Sequence, residues 1–492
     1  MIFIYLLSGL FLGWSLGAND TGNIFGAAVE TRMLKFKKAA LIAAIFITLG
    51  AMIEGSGPSK TLGRLGSVDA LGGAFTVALA AALAITVMIR IRIPVSTSQT
   101  IVGAIIGWNF FSGRLTDFRS LMTIAGSWVT AFVLSAAIAG LLFLIFRSYL
   151  SKSKLHLLEL DVYTRYGLIL IGAFAAYSLG ANNIANVVGV FVPVSPFKDL
   201  SIADLFVFDG IAQLYFVGSL AIVLGIYTYS WKVMRTVGKD LFHLSPVTAL
   251  IALLAEAIVL FVFSSRGLYN FLLALGLPTI PLVPVSSSQV IVGAVVGIAI
   301  VKGGKNIRYN VLGRISLAWI VAPLMAFFFA FIALFIIQNV FEQEVNKDLA
   351  YRFDDKTVPL LIARNMDKSA LGTVNGRAFE SERQVFHELD RTGAFTRDEI
   401  IRIIAIVEEY PMLVNTRLLR EKGFVKRFAP EQLKAIETLD GQRFAHRWEL
   451  AERLQDSSSW QRIEAAKNEI QKSRNNRINA QLDILYRTFF VK

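Results

Sequence analysis

The sequence predicts an all-α polytopic membrane protein of two inverted homologous repeats with broken or re-entrant helices, followed by a C-terminal helical soluble domain. Three observations predict it. Long uncharged stretches alternate with short basic ones over the first 340 residues; two different strings each occur twice there, in the same order; and hydropathy collapses from Phe341 onward.

The uncharged stretches are Ala70 to Ile89, Ser120 to Phe146, Tyr166 to Phe197, Gly210 to Trp231, Gly267 to Val301 and Ile315 to Phe341. Each reaches the roughly 20 helical residues that a bilayer core requires. The opening MIFIYLLSGLFLGWSLGAN has the apolar run of a secretory signal without a basic leader, and it leads straight into polar residues; it is read as a spanning segment. Residues 341 to 492 hold 26 Lys and Arg against 24 Asp and Glu, so the first 340 carry +11 of the total +13. A basic excess confined to the membrane portion is what the positive-inside bias produces, and it argues against a nucleic-acid partner. There is no cysteine, which excludes disulfides and thiolate metal sites.

The repeats set the organisation. PVSTSQTIVGAIIG, Pro94 to Gly107, returns as PVSSSQVIVGAVVG, Pro284 to Gly297, identical at ten of fourteen positions. Gly17-Ala18-Asn19-Asp20-Thr21-Gly22-Asn23 returns as Gly180-Ala181-Asn182-Asn183-Ile184-Ala185-Asn186. Internal duplication accounts for both. The separations are 190 and 163 residues, so the second half carries about 27 extra residues between its motifs, most simply in Val192 to Ala203 and Gly267 to Leu282. The domains follow as a first repeat over 1–160, a second over 161–341 and a soluble domain over 342–492. Transporter folds commonly relate such halves by inversion and place the site at the midplane, where broken helices meet.

The two motifs suit opposite charges. An intramembrane Asp costs about 2.5–3.5 kcal/mol on insertion scales, so Asp20 marks a functional site. Asn19, Asn23, Asn182, Asn183 and Asn186 surround or repeat it, and Gly17 and Gly22 would let the helix break there and expose carbonyls. Carboxylate, amide and carbonyl oxygens are ligands for a small hard cation. In the other motif Pro94 and Pro284 would each begin a helix, with Ser96-Thr97-Ser98-Gln99 and Ser286-Ser287-Ser288-Gln289 in the first turn. Free N–H groups, the helix dipole and neutral hydroxyl donors there would cradle a tetrahedral oxyanion. No intramembrane Lys or Arg accompanies either cradle, so co-bound cations would lower the cost of holding the anion. Single Ser or Thr residues in membrane helices often only bond their own backbone; duplication favours binding. Glu256 stands alone among apolar residues in TALIALLAEAIVLFVF and reads as a cation or proton group, whereas Glu54 in GAMIEGSG reads as a solvated helix end.

These paired motifs resemble the inorganic phosphate transporter (PiT) family, which has a G-A-N-D-x-x-N element in each of two halves, each followed by P-V-S-[ST]-[ST]. VMRTVGKDLFHLSP, within Gly225 to Pro246, also looks like its second half, and the resemblance covers roughly residues 1–340. It implies a secondary transporter importing inorganic phosphate with sodium by alternating access. Phosphate would meet the two hydroxyl clusters, the two glutamines and Asp20. Sodium would meet Asp20, the five asparagines and Glu256, the last matching a glutamate of the family's second half. Two features depart from the family. Gln99 and Gln289 stand where many members have His, and Gln shuttles no proton near neutral pH, which argues against His-mediated proton coupling. Asn183 stands where Asp is usual, which removes one carboxylate.

Alternatives are a sulfate or proton-coupled oxyanion transporter of the same fold, or a transporter-like sensor. Phosphate keeps a proton to donate to Asp20 and sulfate does not, so Asp20→Asn should harm phosphate more. An ATP-driven pump is disfavoured because no G-x-x-x-x-G-K-[ST] string occurs, and a channel because the polar residues form two local clusters. None of the four histidines falls in a paired motif, so no enzyme is expected and no cofactor beyond sodium as coupling ion. The expected location is the plasma or inner membrane, multi-pass, among lipid, with a homo-oligomer as one possible assembly.

Basic residues cluster in short loops: Arg32 with Lys35, Lys37 and Lys38; Arg90 with Arg92; Arg147 with Lys152, Lys154 and Arg165; Lys232 with Arg235 and Lys239; Lys302 with Lys305 and Arg308. Cytoplasmic placement gives five crossings per half, an outside N-terminus and a tail outside the cytoplasm. In the tail, TRDEIIRIIAIVEEY and RWELAERLQDSSSWQRIEAAKNEIQ have helical spacing, and His387 and His446 read as surface or packing residues, with no partner implied.

Overall fold

The computed structural model describes all residues except 1, 67, 92, 94, 154–155, 203–205, 232–244, 305–308, 464–468 and 492. Pro94, most of VMRTVGKDLFHLSP and the basic residues Arg92, Lys154, Lys232, Arg235, Lys239, Lys305 and Arg308 therefore lie outside the described residues. The chain forms two compact units. One comprises Met1–Phe111, Thr116–Pro196 and Ile211–Asn346; the other comprises Ser112–Leu115, Phe197–Gly210 and Lys347–Lys492.

The first unit is helical. In its first half run α1 (Ile2–Glu30), α2 (Phe36–Glu54), α3 (Ser56–Leu65), α4 (Leu71–Arg90), α5 (Thr97–Phe111) and α6 (Phe118–Lys152). The second half has α7 (Leu157–Val188), α8 (Gly210–Gly225) with a π turn at Ile226–Ser230, α9 (Pro246–Ser264), α10 (Arg266–Ala274), α11 (Ser287–Val301) and α12 (Tyr309–Asn339). Among the described residues seven helices are long and apolar enough to cross a membrane. The uncharged run Gly267 to Val301 divides into α10, an extended segment and α11, because Gly276 turns left-handed at φ +68° and the prolines that follow cannot continue a helix.

Packing exchanges partners between the halves in matched pairs. Gly17 of α1 meets the Ile222 backbone of α8, and Gly180 of α7 meets the Ile47 backbone of α2. Gly103 of α5 meets Pro323 of α12, and Gly297 of α11 meets Ala136 of α6. At each point a Cβ would strike a backbone carbonyl, so glycine sets how closely the helices approach. α1 and α7 run unbroken through the motif glycines, contrary to the expected break. The Gly17 carbonyl, expected to be open to a ligand, accepts from Thr21 Oγ1 at 2.8 Å. Gly180→Ala should cost about 1–3 kcal/mol and lower the thermal midpoint in detergent. Gly63→Ala, inside α3 with nothing within 4 Å, should not lower it and should raise it slightly.

The second unit contains two modules of one design. In the first, β3 (Tyr351–Arg352) pairs antiparallel with β4 (Ala378–Phe379), and α13 (Thr357–Ala363), α14 (Lys368–Gly372), α15 (Glu382–Arg391) and α16 (Arg397–Val407) accompany them. The second pairs β5 (Met412–Leu413) with β6 (Arg443–Phe444), alongside α17 (Thr416–Glu421), α18 (Pro430–Glu437), α19 (Arg447–Gln455) and α20 (Glu469–Phe489). Each turn enters its second strand through a left-handed glycine, Gly376 at φ +74° and Gly441 at φ +78°. Their amides donate to Phe353 O at 2.8 Å and Val414 O at 2.9 Å. Each module has its own apolar core, around Phe353, Leu361 and Ile403 in one and Leu450, Trp460 and Leu485 in the other. His446 is buried, with Nδ1 2.8 Å from the Glu408 carbonyl oxygen, and His387 is exposed. The unit also holds a hairpin of β1 (Leu200–Ile202) and β2 (Phe206–Phe208).

Candidate substrate and ion site

Both hydroxyl strings start their helices in the same way. Ser96 Oγ accepts from the Gln99 amide and Ser286 Oγ from the Gln289 amide, each at 3.2 Å, so the first serine of each string caps its helix. The expected start at proline is corrected: Pro284 lies in extended chain two residues before the cap, because a serine oxygen satisfies a first-turn donor and proline cannot. The remaining first-turn amides have no intrahelical acceptor by construction.

The asparagine motifs clamp the residue before each capping serine. Asn19 Nδ2 donates to Val95 O at 3.2 Å and Asn182 Nδ2 to Val285 O at 2.7 Å, each within its own half. Asn182 Oδ1 also accepts from the Val285 amide at 2.9 Å, so both ends of that side chain are committed to backbone. The halves then meet side chain to side chain. Asn183 Nδ2 donates to Asp20 Oδ2 at 2.9 Å, Asn186 Nδ2 donates to Ser98 Oγ at 2.9 Å, and Ser98 Oγ donates to Val285 O at 3.1 Å. Asp20 Oδ1 accepts from Asn19 at 2.7 Å, and the Thr97 and Ser287 hydroxyls flank the same carboxylate. Ser286 and Ser288 bond each other at 3.0 Å. Asn23 is half-buried, one turn beyond Asp20.

Electrostatically the cluster is one-sided. Among the described residues of this unit the buried charged side chains are Asp20, Glu54 and Glu256, all acidic. Glu256, fully buried on α9, has no hydrogen-bond partner at either oxygen, and neither do Thr97 Oγ1, Gln99 Oε1, Asn186 Oδ1 and Gln289 Oε1. Unpaired buried oxygens are costly, and a cation or a donor-bearing ligand relieves that cost.

Glu54 is corrected. It is buried and joins the break between α2 and α3 to the break between α9 and α10. Its Oε1 accepts from Ser265 Oγ at 3.0 Å and its Oε2 from the Arg266 amide at 2.7 Å, while the Arg266 guanidinium donates to Ile53 O at 2.8 Å. The sequence signal lay in a carboxylate beside Gly55 in one half and Ser265-Arg266 in the other, but 211 residues separate Glu54 from Ser265 and conceal the pairing. Glu54→Ala leaves the buried Ser265 hydroxyl and the part-buried Arg266 amide without their acceptor and should cost about 1–3 kcal/mol of stability, with Glu54→Gln milder. Thermal melts of the two variants measure it.

A model of the phosphate transporter family matches residues 16–269 and 271–481. The chain belongs to that family. The transporter is 27% identical to the "Putative phosphate permease" of Methanocaldococcus jannaschii over 66% of its own length and 95% of the relative's. It is 25% identical to one of Haemophilus influenzae, covering 69% and 97%. It is also similar in fold to a solved structure named "The sodium-dependent phosphate transporter", with a TM-score of 0.55 and 22% identity, across 68% of this chain and 98% of that one. The family match extends beyond residue 340, where the paired motifs end. The transporter is thus a multi-pass membrane permease, not an enzyme.

Proposed function

We propose that the transporter imports inorganic phosphate together with sodium, by alternating access around the cluster where the halves meet. The observation that carries this reading is the one-sided charge: buried acidic groups and unpartnered acceptor oxygens surround an anion cradle with no buried Lys or Arg among the described residues. Phosphate meets Ser96, Thr97, Ser98, Gln99, Ser286, Ser287, Ser288 and Gln289 through hydroxyls, amides and first-turn N–H groups, with Asp20 accepting its proton-bearing oxygen. Sodium meets Asp20, Asn23, Asn183, Asn186 and Glu256. Asn19 and Asn182 serve by holding Val95 and Val285 in place. Each ligand then favours the other by the same factor, since linkage is reciprocal.

The halves, 1–160 and 161–341, are inverted repeats with five crossings each, the N-terminus outside, and residues 342–492 on the outer side of a plasma or inner membrane. The matched glycine contacts support this reading, since α1 and α7, α2 and α8, α5 and α11, and α6 and α12 occupy corresponding places in them. Asn183 lets its half touch Asp20 without placing two carboxylates together. In proteoliposomes, uptake of radiolabelled phosphate should rise at least tenfold with an inward sodium gradient of about 1.4 kcal/mol. Uptake that ignores sodium and follows pH would overturn the coupling.

A further inference from the structure

Two loops that leave the membrane helices are built into the tail unit, one from each half. Ser112–Leu115 follows α5, the helix that Ser96 caps, and Phe197–Gly210 leads into α8. Each is held by a different module. Arg114 Nη1 donates to Tyr351 Oη at 2.7 Å, to Glu382 Oε1 at 2.9 Å and to Glu408 Oε1 at 3.3 Å, all in or directly after the first module. The Leu115 amide donates to Glu382 Oε2 at 2.8 Å and the Arg383 amide to Gly113 O at 3.1 Å. Gly113, left-handed at φ +68°, lies so close to Ser381 that a Cβ would collide with it.

The second module grips with the charges exchanged. Arg427 Nε and Nη2 donate to Asp199 Oδ2 and Oδ1 at 2.7 and 2.8 Å, and Nη2 also donates to Asp209 Oδ1 at 2.5 Å. Asp199 Oδ1 accepts from the Gly210 amide at 2.8 Å, so the same carboxylate fixes the first residue of α8. Burial works against ionising Asp199, but the Arg427 guanidinium and the Gly210 amide prevail and hold its carboxyl below the usual range. The side chains of Arg114 and Asp199 are 14% and 7% exposed, so these are partly buried, charge-assisted contacts and not surface pairs of little worth.

We propose that the duplicated tail is a two-point brace, its first module holding the loop that leaves α5 and its second the loop that enters α8, so that the two transporter halves are coupled through it. A brace acts only while both ends hold. Released at either end, it transmits nothing, so breaking both clamps does no more than breaking one. The transport consequence rests on the phosphate reading; the mechanical one does not.

The absence of cysteine allows spin labels at Phe118→Cys, just after the first loop, and Leu200→Cys, within the second, both exposed positions. In substrate-free full-length protein, pulsed electron-spin distance measurement should give one narrow distribution. Arg114→Ala and Arg427→Ala should each raise separated conformers about tenfold. The double variant should match either single, and Asp209→Asn should shift the distribution less in the same direction. Arg417→Ala, in an exposed pair with Glu421, should change nothing. Trypsin fragments of wild-type size check that the tail is folded. Unchanged distributions in both single variants, or effects that accumulate independently, would overturn the brace. Phosphate uptake in the same variants should fall about threefold or more, again without additivity. Distances that respond in a protein that carries no phosphate would instead sink the proposed function and leave the brace standing.

Discussion

Asp20→Asn should lower sodium-driven phosphate uptake about 100-fold or more while leaving the protein folded. The carboxylate receives Asn19 at one oxygen and Asn183 at the other, across the junction of the halves, and no basic residue is buried beside it. An amide of the same shape can turn its oxygen to one of those donors, so little stability is lost, but the negative charge that a cation needs is gone. Loss of one partner of a buried, hydrogen-bonded charge costs about 3–5 kcal/mol, which corresponds to about two to four decades in rate or affinity. Initial uptake rates, with thermal melts to confirm folding, measure it. A variant that keeps wild-type uptake and the same sodium dependence would remove Asp20 from the site.

Glu256→Gln is the second large effect, and stability and activity should move in opposite directions. Both Glu256 oxygens are buried without a partner, in α9, which packs against α1, α7 and α11. In sodium-free buffer the glutamine variant replaces a group that is expensive to bury in charged form with a neutral one, so its thermal midpoint should rise by an amount equivalent to about 1–3 kcal/mol. Sodium should stabilise the wild type and not the variant, because a ligand stabilises only the form that binds it. Sodium affinity measured from uptake should fall at least tenfold. If sodium raises the midpoint of both proteins equally, Glu256 is no cation ligand.

Much of this was legible in the chain. Uncharged length and duplicated strings point to a membrane protein of two halves, since hydrocarbon thickness and repetition act locally along the sequence. Residue chemistry likewise marked Asp20, the asparagines and the hydroxyl clusters. Their division of labour was not legible. Asn19 and Asn182 have the same composition cues as Asn183 and Asn186, yet the first pair holds backbone within its own half and the second reaches across to Asp20 and Ser98. The motif glycines suggested a helix break, and what they provide is close helix contact, a property of the partner surface and not of the glycine.

The tail shows the same limit. Asn375-Gly376-Arg377-Ala378-Phe379 and Asp440-Gly441-Gln442-Arg443-Phe444 share a turn, a glycine and a phenylalanine, too little for a repeat to be read from the letters. The two antiparallel hairpins with matched glycine contacts make the duplication plain. By itself, then, the sequence determined the membrane character, the duplication of its motifs and the chemical types available for an anion and a small cation. Only the tertiary structure decided which oxygens are committed and which are unpaired, where Glu54 is buried, and which module holds Arg114 and Asp199. The physical reason is that polarity and periodicity act over a few residues, whereas hydrogen-bond saturation and charge pairing here join groups separated by 76 to 294 positions, and only the fold brings them together.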